Sequence, residues 1–465
     1  MQLKQAPIAA YLLCLPLLSA LVERIGGHDL ARMAQVVLGL SCALILAVQA
    51  RQAARPRALH LRMALGALLL LAVASTLHAP IPVMAARELA LFAGMVAIAL
   101  VVAQVRDPVH TPSAMACAAS AAYIVIILML VAMAYAQGQP LKRADLFVGY
   151  DSYRFFNHVQ TAALPLAVLA LTVAPRDTWL RRVAWLAASG GFALLFATAG
   201  RGTLVGIAVG ALAIGALFGR AAFATLRSLA LAAVLGLAAF GLLFWALPGL
   251  TGATPDLPHS YAGNRLASDQ SRFFLWRIAM AHIEQSPWLG IGPMHYAHHP
   301  NLTAAHPHNI YLQVAAEWGL PMLFLVGGMA VAALRTLALA IRRCPTPQQR
   351  DCGVGLFLAC VAMAVDGLVS GNVVMPVSQV WIAFTFGWAL AWVAGQRTTG
   401  QPLPMQAGAR VSIQRIAALA LLASQLGLAC NVWPEARHLD EQYKQAMSQM
   451  PQPQVHPRFW SHGWF

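Results

Sequence analysis

Residues 112–136 read PSAMACAASAAYIVIILMLVAMAYA, twenty-five residues without one Asp, Glu, Lys, Arg or His. As an α-helix this stretch would be roughly 37 Å long, enough to cross a hydrocarbon core of about 30 Å. In hydrocarbon every backbone N–H and C=O must be satisfied internally, and within one segment only a helix does that. Similar apolar runs recur at 7–23, 30–50, 61–78, 82–104, 158–174, 183–199, 203–219, 228–247, 309–334, 354–370, 378–395 and 413–431. The chain therefore reads as all-α, a polytopic membrane protein of 12–13 transmembrane helices with one long outer loop containing short helices. The first run lacks a convincing small-residue cleavage site and is followed by further spans, so it is read as retained. No internal repeat of fixed period is visible.

Composition agrees. Of 465 residues, 59% are hydrophobic and 10% charged, outside the range of soluble globular chains. The net charge of +15 would suit a nucleic-acid partner, but the basic residues lie in short alternating loops, with no basic stripe interleaved with aromatics. Nucleic-acid binding is excluded on that ground. Neither a CxxC pair nor a cysteine in the long loop occurs, and most of the seven cysteines sit within apolar runs. A cysteine there is usually a small hydrophobe, so neither a disulfide nor a zinc finger is expected.

Charge sets the orientation. Alternate loops hold Arg51, Arg55, Arg57 and Arg62; Arg106; Arg176, Arg181 and Arg182; Arg220 and Arg227; Arg335, Arg342, Arg343 and Arg350; and Arg397, Arg410 and Arg415. Three acids, Asp107, Asp177 and Asp351, accompany them. The arginine-rich side is cytoplasmic by the positive-inside rule. Residues 1–247 then hold helices 1–9, 248–308 form a periplasmic loop, 309–431 hold helices 10–13, and 432–465 form an outer tail.

The long loop carries seven of the fifteen histidines. Asp269 to Gln285 has helical apolar spacing through Phe273, Trp276, Ile278 and Ile283, followed by a Pro/Gly turn at Pro287–Pro293. A short amphipathic helix lying on the outer bilayer surface is the plain expectation. The loop ends at Ala305-His306-Pro307-His308-Asn309-Ile310. Asn309 can cap the next helix, which leaves His308 at a helix mouth that favours anions. Histidine is the natural general base near neutral pH, although a lone loop histidine more often caps or packs. Five arginines project toward the same face: Arg87, Arg154, Arg201, Arg265 and Arg272. Any one could simply snorkel to headgroups. Together they suggest bidentate binding of phosphate, and so an anionic lipid that bears a pyrophosphate. His295 and His299 have the i, i+4 spacing of metal ligands, but Pro300 and nearby glycines disfavour a helix and few acids accompany them, so no metal site is expected. No P-loop, G-x-S-x-G elbow or Asp-x-Asp pair is present, so the energy for any transfer must come from the substrate itself.

These residues resemble the O-antigen ligases of bacteria. His308-Asn309, followed by Ile310–Trp318 and then Gly319, is similar to that family's histidine motif. Arg272…Trp276…Pro287-Trp288-Leu289-Gly290-Ile291-Gly292-Pro293 resembles its approach to the histidine. Thr198-Ala199-Gly200-Arg201-Gly202 and Arg154-Phe155-Phe156-Asn157-His158 resemble its membrane-edge segments, while Met322 departs from the usual Gly, Thr or Tyr. The resemblance implies an inner-membrane glycosyltransferase without a cofactor, moving polysaccharide from undecaprenyl pyrophosphate to lipid A-core oligosaccharide. His308 would be the catalytic base, with Arg201, Arg265, Arg87, Arg154, Arg272 and Asn309 binding substrate. O-antigen polymerases and protein O-oligosaccharyltransferases share the architecture, although protein-glycosylating relatives tend to be longer. An anionic-lipid flippase is the alternative of another class; it would line a route through the bilayer with charge, whereas the deep spans here are almost uncharged apart from Asp366.

The orientation is testable by thiol labelling of intact cells. Ser260→Cys should react with a membrane-impermeant maleimide and Thr346→Cys should not; the reverse pattern would invert the topology.

Overall fold

The computed structural model describes residues 3–21, 27–49, 59–139, 141, 147–175, 177–251, 265–299, 301, 303–397, 408–448 and 456–465. Among these residues there is no strand. The helices are α1 (Ala6–Leu21), α2 (Gly27–Gln49), α3 (Leu59–His78), α4 (Pro82–Val102), α5 (His110–Ala136), α6 (Tyr153–Val173), α7 (Trp179–Thr198), α8 (Arg201–Phe218) and α9 (Phe223–Gly241). There follow α10 (Arg265–Gln285), α11 (Ile310–Trp318), α12 (Leu320–Arg343), α13 (Pro347–Asp366), α14 (Pro376–Arg397), α15 (Gly408–Ala436) and α16 (Leu439–Ser448).

Nine helical stretches among the described residues are long and apolar enough to cross a membrane, and two shorter apolar helices lie at Ala6–Leu15 and Met63–His78. One of the nine, Arg201–Leu250, joins two long helices, α8 and α9, and ends in a short helical turn, Leu247–Thr251. Gly219, at φ 52°, separates α8 from α9, and α9 continues through a π segment, Leu242–Ala246. α13, whose first turns read Pro-Gln-Gln-Arg-Asp, is less apolar than those nine, yet it packs at the centre of the bundle.

All but one of the expected spans coincide with a single helical run. The exception is 309–334. The chain breaks there at Gly319 (φ 88°), so α11 is a nine-residue helix and the span is α12. Pro321, which lacks an N–H, suits the first turn of the new helix. Gly319 stands hard against the backbone of Trp288, and Gly290 (φ 70°) against that of Glu317. No side chain fits either contact. Leu320 N donates to Pro287 O at 2.8 Å, Ile291 N to Ala316 O at 2.9 Å and Gly292 N to Glu317 O at 3.0 Å. The Pro287–Pro293 turn is thus a belt around the C-terminal end of α11.

α6 is buried along nearly its whole length and packs against α5, α7, α8, α13 and α14. α12, by contrast, shows most of its surface, as a lipid-facing helix does. α8 meets α13 through Gly202, Gly206 and Gly210, which lie on Asp366, Ala362 and Leu358. This four-residue spacing keeps the glycines on one helix face, and small residues there let two membrane helices approach closely. A Cβ at Gly206 would lie 2.6 Å from Ala362 O.

The expected loop helix is present as α10, one turn longer than anticipated. It buries Leu275, Ala279 and Ile283, whereas Phe273 is exposed. The segment 456–465 holds a larger surprise. It folds back into the bundle, with Phe459 and Trp460 buried against α2, α4 and α15.

Gly206→Leu should lower the thermal unfolding midpoint in detergent, because overpacking costs about 1–3 kcal/mol. Gly327→Leu, where a Cβ meets nothing within 4 Å, should leave it unchanged. Equal midpoints for both variants would remove the glycine contact as a constraint.

Candidate active site at one end of the helix bundle

Four segments converge at the end of the bundle opposite Arg342, Arg343 and Arg350. α6 begins there, with the Ser152 side chain accepting from Arg154 N at 3.3 Å. Its first turns therefore present Arg154, Asn157 and His158. α8 also begins there, after Ala199 turns the chain with φ 50°. Thr198 Oγ1 donates to Asn157 Oδ1 at 2.7 Å and Thr203 Oγ1 to Asn157 O at 2.9 Å, tying the starts of α6 and α8 together. α13 ends there at Asp366. The fourth segment is the loop 303–309.

Asp366 Oδ2 lies 3.9 Å from His158 Nδ1 and accepts from Ser370 Oγ at 2.7 Å. Gly202 abuts the same carboxylate; a Cβ there would lie 2.6 Å from Oδ1. Arg201, its neighbour, therefore opens α8 beside Asp366. His158 is close enough to His308, Arg154 and Arg272 to interact electrostatically with all three.

His308 is held from several sides. Trp276 Nε1, on α10, donates to Pro307 O at 3.1 Å. Arg272 lies one turn before Trp276 and so shares its helix face. Ile310 N donates to Gly367 O at 2.9 Å, and Tyr311 Oη to Ala364 O at 2.8 Å. Asn309 is the expected N-cap of α11, its side-chain oxygen accepting from Tyr311 N and Leu312 N at 3.0 Å each. His308 N donates to His306 Nδ1 at 3.2 Å, and the two rings lie 4.2 Å apart. His306 is buried against Gly371. His308 itself has φ 51°. A left-handed backbone costs a non-glycine residue about 1–2 kcal/mol, and such conformations persist at functional sites where the surroundings over-determine them.

Electrostatics sets the state of the ring. Burial, and then the positive charges of Arg272 and Arg154, push the His308 imidazole down to about 3. It is neutral at pH 7, with a lone pair available as an acceptor. Burial and the neighbouring His308 push His306 well below the usual histidine range.

The other expected residues fall elsewhere or are partly described. Arg265 is the first residue of α10, and its side chain lies outside the described residues. Arg87 is not brought to this corner by its contacts: its guanidinium forms two hydrogen bonds of 2.7 Å with Glu435 and one of 2.8 Å with Asn431. His295 lies in a 3₁₀ turn, its ring nitrogens engaged by Pro293 O and Ile81 N. Sequence reasoning did not assign His158 a role, although it stands i+4 from Arg154. It noted Asp366 only as an isolated acid.

Fold and site together define a multi-pass helical membrane protein with histidine, arginine and carboxylate side chains gathered at one end of the bundle. Residues 183–327 match the sequence profile of the O-antigen ligase family, so the chain is related to those glycosyltransferase-type enzymes. The matched segment is just under a third of the chain and includes Arg201, Arg265, Arg272, His308 and Asn309. No curated protein matches the chain.

The pH dependence has a definite sign. Between about pH 6.5 and 3 an unfolded histidine binds a proton that the folded His308 does not, so the loop loses stability as pH falls through that window. Histidine NMR should show His308 neutral well below the ordinary midpoint. Arg272→Gln should move its midpoint upward, as should inorganic pyrophosphate. A wild-type midpoint near the ordinary value, unmoved by either change, would contradict this arrangement.

Proposed function

We propose that this protein is an O-antigen ligase, transferring polysaccharide from undecaprenyl pyrophosphate to lipid A-core oligosaccharide on the periplasmic side of the inner membrane. The observation that carries the proposal is the neutral His308 held beside Arg154 and Arg272 within a chain related to O-antigen ligases.

In this reading His308 removes the proton from an acceptor hydroxyl. The acceptor oxygen forms a bond to the anomeric carbon of the donor sugar from the face opposite the leaving group. The bond from that carbon to the pyrophosphate oxygen breaks, its electron pair stays with undecaprenyl pyrophosphate, and the anomeric centre inverts. Arg154, Arg201 and Arg272 stabilise the charge growing on the leaving oxygen, and Arg265 is assigned to substrate binding on the family resemblance alone. Positive charge in this role does not require a metal ion. Burial is the larger cause of the low His308 value, and arrival of the pyrophosphate offsets the arginine charges that add to it, so the base strengthens when the donor is bound. Asp366 and His158 complete the polar wall, and Asn309 sets the backbone beside His308 through its cap. Arg87, paired with Glu435, serves the packing of 456–465.

The test is transfer in detergent from lipid-linked O-polysaccharide to lipid A-core, with EDTA and without nucleotide. His308→Ala should lower the rate by about 10²–10⁴, the usual worth of a general base. A fully active variant would remove His308 as the base. Chain extension of the donor without a lipid A-core acceptor would identify a polymerase instead.

A further inference from the structure

We propose that the C-terminal segment 456–465 is a brace that fixes the position of His308, and that Arg458 is its positioning residue. The inference rests on the reading of His308 as the base.

The brace is anchored on its core side. Arg32, fully buried in α2, donates to Phe459 O and Arg458 O at 3.1 Å each. Ser461 N and Oγ both donate to Asp29 at 2.7 Å. Trp460 Nε1 donates to Glu435 Oε2 at 2.7 Å.

On its other side the brace grips both flanks of His308. Upstream, a ring nitrogen of His456 lies 3.1 Å from Thr303 O, and Gly463 packs against Ala305. Downstream, Arg458 Nη2 bridges Glu88 of α4 at 2.5 Å and Glu317 at 2.6 Å. Glu317 lies in the last turn of α11, where it also accepts from Tyr296 N at 3.0 Å. α11 is a rod of nine residues, roughly 13 Å long, with His308 immediately before its other end. Holding Glu317 therefore holds the direction from which His308 emerges. The left-handed backbone at His308 is held from both flanks, by α10 through Pro307, Ala304, Ala315 and Ala316 and by the brace through Thr303, Ala305 and Glu317; of the two, only the brace grips with an ionic bridge.

A misplacement of about 1 Å can cost a catalytic group about 10² in rate without altering what binds the substrate. Loss of the brace should therefore lower kcat and spare KM. Arg458→Leu alone strands two buried carboxylates, and a stranded buried charge can prevent folding. The informative variant is Arg458→Met combined with Glu88→Gln and Glu317→Gln, which removes the ionic grip and strands no charge. It should insert and purify as wild type does, lose about 10² in kcat, and keep KM for the lipid-linked donor within about twofold. A reporter thiol reads the loop directly: in a cysteine-free background, Ala304→Cys, 5% exposed, should react with maleimide slowly in the braced protein and faster in the triple variant. Arg458→Lys, which keeps one charge in place, should recover part of the lost kcat.

Unchanged kcat in the triple variant would overturn the proposal, as would a loss of kcat with an unchanged thiol rate. If the wild type transfers nothing, the ligase reading fails, and the thiol rate alone still decides whether the segment braces the loop.

Discussion

Arg458 is 3% exposed, and its guanidinium sits between the carboxylates of Glu88, itself buried, and Glu317, which is fully buried. Any one of these charges alone in this interior would cost several kcal/mol. Together they form a unit whose members come from α4, from α11 and from the far end of the chain. Arg32 beside it is fully buried and is satisfied by Gln35, Gln379 and the carbonyls of Val374, Arg458 and Phe459. Buried polar groups of this kind contribute little net stability, but they are costly to break. They dictate which segments lie together at the site end of the bundle.

That end is polar because the rest of the bundle is not. α6, α8 and α13 pack through apolar and glycine surfaces, and the close approach of α8 to α13 sets Gly202, next to Arg201, against Asp366. Where the helices begin or end, their polar residues collect: Arg154, His158, Arg201 and Asp366, joined by Arg272 and His308 from the loop. Positive charge exceeds negative there, which favours an anionic ligand; burial first, and then that charge, keeps the His308 ring neutral in its absence. The same charges that would bind a leaving pyrophosphate therefore also act on the proposed base, and their neutralisation by a bound donor would shift it toward the near-neutral range that acid–base catalysis favours.

Much of this was legible in the chain. The apolar runs located the helices because a span needs length and apolarity together. The period through Trp276 and Ile283 announced α10, and Asn309 announced the start of α11 by its capping chemistry. The histidine motif and the membrane-edge arginines marked which residues to follow. The break at Gly319 escaped notice because 310–334 is nearly continuous in hydropathy, and only the Pro287–Pro293 belt shows why a glycine is needed there. Arg87 has the same local signature as the other arginines, and only its packing partner, Glu435, sets it apart.

Sequence alone determined the class of fold and all but one of the helical spans, and it named candidate residues for the site, since these follow from local composition and spacing. Tertiary structure alone decided which charges meet. The pairing of His158 with Asp366, of Arg87 with Glu435 and of Arg458 with Glu88 and Glu317 joins residues about 200, 350 and up to 370 positions apart. The physical reason is that a buried charge is satisfied by whatever partner packing delivers, and no local pattern records a partner that distant.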